Sequence, residues 1–109
     1  MGEHVIGTIS DIPEGEARRF EVDGHEIAVV NLGGGELRAL SDICSHAEAY
    51  LHEGEVDTDF ETIECPRHGS SFDLETGDPK ALPATQPVPV YELSVTDDKI
   101  TITIPDRGD

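Results

Sequence analysis

Cys44-Ser45-His46, then eighteen residues, then Cys65-Pro66-Arg67-His68: this stretch holds both cysteines of a 109-residue chain and three of its five histidines. The chemistry-bearing residues come as a Cys-x-His pair and a Cys-x-x-His pair. Two thiolates and two imidazoles are a sufficient donor set for metal. Around them turn residues dominate, notably Gly69, Gly77 and Pro79, and strand signals are brief, with Gly54-Glu55-Val56 and Phe60-Glu61-Thr62-Ile63-Glu64 the clearest. A short helical piece is expected over 46–51, too short to stand alone.

Outward from this middle, both ends of the chain read as short strands separated by tight turns. Val5-Ile6-Gly7-Thr8-Ile9 is rich in β-branched residues, and Pro13, Glu14 and Gly15 follow as a loop. Arg19-Phe20-Glu21-Val22 and His25-Glu26-Ile27-Ala28-Val29-Val30 flank Asp23-Gly24, a dipeptide suited to a two-residue hairpin turn. Gly33-Gly34-Gly35 makes the next turn and Leu37-Arg38-Ala39-Leu40 the next strand. Alternation returns with Val88, Val90, Leu93 and Val95. Asp97-Asp98 then turns the chain into Ile100-Thr101-Ile102-Thr103-Ile104, with isoleucines on one face and threonines on the other. The expected fold is all-β, an antiparallel β-sandwich or barrel base with a loop-rich insert. One domain spans 1–109, with the base formed by 1–40 and 84–109 and the ligand-bearing subdomain by 41–83.

Composition narrows the function. Twenty-four acidic residues against seven lysines and arginines give a net charge of −17. Such a surface repels phosphate backbones and anionic lipid, which argues against nucleic acid or a membrane as partner. It suits a carrier steered onto basic faces of other proteins, and equally a chain adapted to a salty cytosol. No stretch approaches the roughly 20 apolar residues of a membrane span. The first residues lack the basic and apolar regions of a signal peptide, so a cytoplasmic protein is expected; it is read as a monomer. In a reducing cytosol two cysteines serve more naturally as ligands or reactive thiols than as a disulfide.

Three chemistries compete for the middle stretch. Structural zinc sites pair like with like, as Cys-x₂₋₄-Cys or His-x₃₋₅-His, whereas each pair here mixes thiolate with imidazole. A Cys–His nucleophile would leave the second pair unexplained. A [2Fe–2S] cluster with two thiolates on one iron and two imidazoles on the other accounts for both the mixing and the duplication.

At this point the chain resembles a family. Cys44-Ser45-His46 and Cys65-Pro66-Arg67-His68-Gly69-Ser70-Ser71-Phe72-Asp73 resemble the two boxes of Rieske iron–sulfur proteins, over roughly residues 38–93. Asp42-Ile43-Cys44-Ser45-His46-Ala47, together with 82–91, is similar to the small Rieske ferredoxins of aromatic-ring dioxygenases and to proteins encoded beside sulfur-mobilising assembly systems. The resemblance implies one [2Fe–2S] cluster, with Cys44 and Cys65 on the inner iron and His46 and His68 on the outer. It also implies surrounding roles. Gly69 lets backbone N–H groups approach the cluster sulfurs, Ser70 stands where a serine hydroxyl bonds a bridging sulfide, and Pro83 belongs to a covering proline loop.

Two departures place the chain within that family. The cysteines of the inter-loop disulfide found in quinol-oxidising members would align with Ala49 and Arg67, so that bridge is absent. Phe72 replaces their tyrosine donor. With one hydrogen bond fewer near cluster sulfur, and with negative charge around it, the potential is expected toward the low end of the family's roughly −150 to +300 mV.

The implied function is one-electron transfer without substrate turnover. A flavin reductase would be the donor and an oxygenase or similar protein the acceptor. The alternatives are an accessory protein of iron–sulfur assembly or redox sensing, and a zinc-stabilised β interaction module. His4, His25 and His52 are read as surface or turn histidines, not ligands. Arg67 is read as an exposed cation that either meets a partner's carboxylate or offsets local charge.

Overall fold

The computed structural model describes residues 2–43, 49–66, 70–80 and 87–104. The described chain forms nine strands: β1 Gly2–Thr8, β2 Ala17–Val22, β3 His25–Gly33, β4 Glu36–Ser41, β5 Val56–Asp57, β6 Thr62–Glu64, β7 Ser71–Asp73, β8 Val90–Thr96 and β9 Lys99–Ile104. Two single 3-10 turns, Ile9–Asp11 and Leu51–Glu53, complete the described regular structure. A six-stranded sheet runs β1-β9-β8-β4-β3-β2 and a three-stranded sheet β5-β6-β7. Every described strand pairing is antiparallel. The large sheet curls into a half-barrel, so that β1 and β2, its two edges, approach each other.

Local chemistry explains the hairpins. Asp23 and Gly24 have φ of 52° and 83°, and Asp97 and Asp98 have 53° and 66°. Two consecutive left-handed residues make the turn whose twist matches antiparallel strands, and aspartate tolerates that region better than most side chains.

Strand β3 divides two cores. From Ile27 to Asn31 every residue is buried, which requires cover on both faces of the sheet. Ile27 and Val29 face inward with Val22, Leu37, Ala39 and the isoleucines of β9, filling the curled sheet. Ala28 and Val30, with Ala17 and Leu40, face the other way and pack against Leu51, Ile63, Phe72 and Leu74 of the middle segment. Both cores are almost wholly aliphatic, as the 5% aromatic content requires.

Several local expectations need correction. The strand expected over 60–64 begins only at Thr62. Glu61 takes φ 54°, and the N–H of Phe60 bonds the Asp57 carboxylate at 3.1 Å, so an aspartate-capped turn displaces the strand start. Gly54 closes the preceding 3-10 turn, its N–H on the Leu51 carbonyl, and leaves β5 to start at Val56. Strand β7 was not foreseen; three residues between glycines carry little periodicity, and pairing with β6 supplies what propensity does not. Val88, Val90, Leu93 and Val95 do not share a face. Tyr91, Leu93 and Val95 point to the inner core, Val90 is exposed, and Val88 lies ahead of the strand in the opposite core. In the helical expectation over 46–51, residues 46–48 lie outside the described residues. The described turn starts at Leu51.

Candidate metal centre

The flanks of two loops and of a returning segment converge on the outer core. The first loop leaves β4 at Ser41 and returns at Tyr50, which forms a single antiparallel bridge with Ile43. Below that bridge the Leu51 N–H donates to the Asp42 carbonyl at 2.7 Å, and the Asp42 N–H to the Glu26 carbonyl of β3 at 2.9 Å. The second loop starts at Cys65, directly after β6, and closes where the Cys65 N–H meets the Ser70 carbonyl. The third segment follows β7. Phe72 bridges to Pro79, and the Lys80 N–H donates to the Ser71 carbonyl at 2.7 Å, which seats 78–80 beside the end of the second loop.

One apolar cluster joins all three. Ala49 and Leu51 from the first loop's exit pack with Cys65, Phe72 and Leu74 around the second loop, and with Val88 beyond the third segment. Cys65, Leu51 and Phe72 are completely buried. Two glycines allow the backbones to approach closely. A Cβ at Gly54 would overlap the Glu64 carbonyl, next to Cys65, and one at Gly77 would overlap the Val88 carbonyl. Gly77 also takes φ 81°, which disfavours any side chain. The sequence marked Gly77 only as a turn and Gly54 as part of a strand; close approach between distant segments leaves no local signal.

Of the residues expected at the site, Cys65, Ser70 and Phe72 are brought together, all fully buried. Cys44, His46, His68, Gly69 and Pro83 lie outside the described residues, as does Arg67. His4 and His25 sit on β1 and β3, and His25 Nδ1 is 3.0 Å from the Tyr91 hydroxyl. His52 is more than a surface residue. Its ring Nδ1 lies 2.7 Å from Oδ2 of the buried Asp42, a pairing across ten positions that no sequence pattern announced. Burial pushes the Asp42 carboxyl above the usual carboxylate range, against the hydrogen bonds from His52 and the charge of Arg19. Asp73 goes the other way. Its partial burial is outweighed by hydrogen bonds from the N–H groups of Glu75 and Thr76 and by Lys80, which hold it below that range.

Fold and site together define a small antiparallel β protein in which the flanks of two loops pack around a buried thiol. The chain belongs to the Rieske [2Fe-2S] domain family, which it matches over residues 2–92. Its cofactor is a Rieske-type [2Fe–2S] cluster, and the protein is an electron-carrying ferredoxin. It is 43% identical over 98 residues, 90% of each chain, to the 3-phenylpropionate/cinnamic acid dioxygenase ferredoxin subunits of Shigella boydii serotype 4 (strain Sb227) and Escherichia coli (strain K12). Among solved structures it resembles the ferredoxin of carbazole 1,9a-dioxygenase from Nocardioides aromaticivorans IC177. There the TM-score is 0.89 and identity 38%, covering 94% of this chain and 97% of that one. A second likeness, at 34% identity and TM-score 0.83, is to a chain in a complex of reduced oxygenase and oxidized ferredoxin in carbazole 1,9a-dioxygenase, covering 92% of this chain and 91% of that one.

The described residues fit such a cluster. Cys65 offers a soft sulfur inside an apolar cluster, and the short 65–70 loop is closed by its own backbone. Removal of bulk water around sulfur is one of the means by which a protein sets a cluster's potential.

Proposed function

We propose that this chain carries single electrons from a flavin-containing reductase to the oxygenase component of a ring-hydroxylating dioxygenase. Cys44 and Cys65 serve as the sulfur ligands of its cluster and His46 and His68 as the nitrogen ligands. The observation that carries this reading is the single apolar cluster shared by Ala49, Leu51, Cys65, Phe72 and Val88. It draws together the described flanks of both Cys/His boxes, with Ala49 and Leu51 following the first and Cys65 and Phe72 bracketing the second. The names of the 43%-identical relatives support the choice of an oxygenase as acceptor.

Within this reading, residues 41–83 act as a cluster-binding subdomain on a base formed by 1–40 and 84–109. All three strands of the small sheet fall inside the former span. Gly69 gives the backbone room near sulfur, Ser70 and Phe72 line the second loop, and Pro83 covers the cluster. When bound, the cluster supplies reversible one-electron chemistry. The chain's own contribution is to bury the sulfur side, position the ligands and present an acidic face. Among the described residues no helix is long and apolar enough to cross a membrane. We place the work of the protein in the cytoplasm, where nicotinamide nucleotides are available to such a reductase.

Reconstitution tests the assignment. With a nicotinamide-dependent flavoprotein reductase and an oxygenase of this class, product formation should require the holo ferredoxin. Cys44→Ser and His68→Ala should each abolish it while leaving the β-sheet circular dichroism intact. Product formed at the parent rate by either variant would refute the ligand assignment.

A further inference from the structure

A side chain outside both boxes fastens the stem of the first loop. The Asp42 carboxylate is fully buried, and His52 engages both of its oxygens. The His52 backbone N–H donates to Oδ1 at 2.7 Å, and ring Nδ1 lies 2.7 Å from Oδ2. Arg19 of β2 sits behind, with Nε 3.6 Å from Oδ2, its guanidinium paired to Glu26 of β3 and 5.6 Å from the centre of the Tyr50 ring. Tyr50 in turn bridges to Ile43, so the chain is fastened on both sides of 44–48. The arrangement ties the loop stem to two strands of the large sheet.

We propose that His52 is a positioning residue for the electron-carrying centre: gripped by Asp42, it fixes the stem of the 43–50 loop and so the direction in which Cys44 and His46 are presented. This inference rests on the reading that those two residues are ligands. The physical reason is the cost of a buried carboxylate left short of donors. Without the His52 ring, the one contact left to Oδ2 among the described residues would be Arg19 at 3.6 Å. Asp42 would turn toward Arg19 or admit water, and the stem would loosen. Asparagine can place an amide N–H where imidazole places Nδ1–H; leucine and serine cannot. Partners of metal ligands set metal retention in the same way, and their loss typically weakens binding by about 10- to 100-fold.

The test compares holo His52→Leu, His52→Ser and His52→Asn with the parent. Cluster loss to an iron chelator is followed by visible absorbance, and the reduced protein by electron paramagnetic resonance. Leu and Ser should bleach about tenfold faster and broaden the resonance, and Asn should restore both toward the parent. A merely structural role would lower the melting temperature and leave the bleaching rate and line shape unchanged; that result overturns the proposal, as does an Asn variant no better than Leu. The Ser variant carries the comparison should Leu not fold. Cys44→Ser run alongside separates the two claims. If it keeps a parent-like spectrum, the ligand assignment fails; if it loses the spectrum while Leu and Ser behave as parent, only the positioning role fails.

Discussion

Single carboxylates of this acidic chain work in opposite senses. Asp73 lies below its ordinary range because its Oδ1 accepts the N–H groups of Glu75 at 2.8 Å and Thr76 at 3.1 Å, with Lys80 near its other oxygen. A folded-state value below the unfolded one means that the group stabilises the fold above about pH 4 and that this is lost as pH falls through the folded value. Asp73→Asn should therefore melt lower than the parent at neutral pH, and the gap should close under acid. A gap constant across an acid titration of melting temperature would show that the charge is irrelevant. Asp42 has the reverse sign: raised by burial, it costs stability above its folded value, and protonation removes that cost. The Cys/His boxes were legible from residue types and spacing, because metal chemistry demands particular donors. The grip of Asp42 on His52 was not, because it depends on two chain segments meeting.

At the scale of elements, β3 separates two cores with different duties. Leu51 and Ile102 are both fully buried, one in the core beneath the loops and the other inside the curled sheet. Truncating either to alanine should cost about 2–5 kcal/mol, from lost burial and the cavity left behind. Only Leu51→Ala should also speed cluster loss to a chelator, since only it underlies both loops. Equal bleaching by Leu51→Ala and Ile102→Ala, measured well below both melting temperatures, would show that the cores are not separable in this way. The long strands of the base were readable because alternation in β9 and the Asp-Gly turn between β2 and β3 state their geometry locally. Strand β7 and the late start of β6 were not. Their lengths are set by an aspartate-capped turn at Asp57, by Glu61 at φ 54° and by pairing with neighbours. None of these has a period. Gly54 and Gly77 were visible as glycines, but the backbones they admit belong to distant segments.

At the scale of the molecule, the −17 charge should govern encounter with a redox partner. Raising ionic strength from about 0.01 to 0.15 M shortens the screening length from about 30 to 8 Å. If the acidic surface steers this chain onto a basic face, the second-order rate of electron exchange should fall at least about tenfold over that range. A rate indifferent to salt, followed by stopped-flow absorbance, would assign the acidity to solubility instead. On the proposed ligand assignment, the molecule presents a centre held by sulfur on one side and by nitrogen on the other. Pulsed electron paramagnetic resonance on reduced protein grown with ¹⁵N-labelled histidine addresses that directly. Two strongly coupled histidine nitrogens are predicted, with one coupling lost in each of His46→Ala and His68→Ala that retains iron. A cluster signal without histidine coupling, or with coupling unchanged in both variants, would contradict the account.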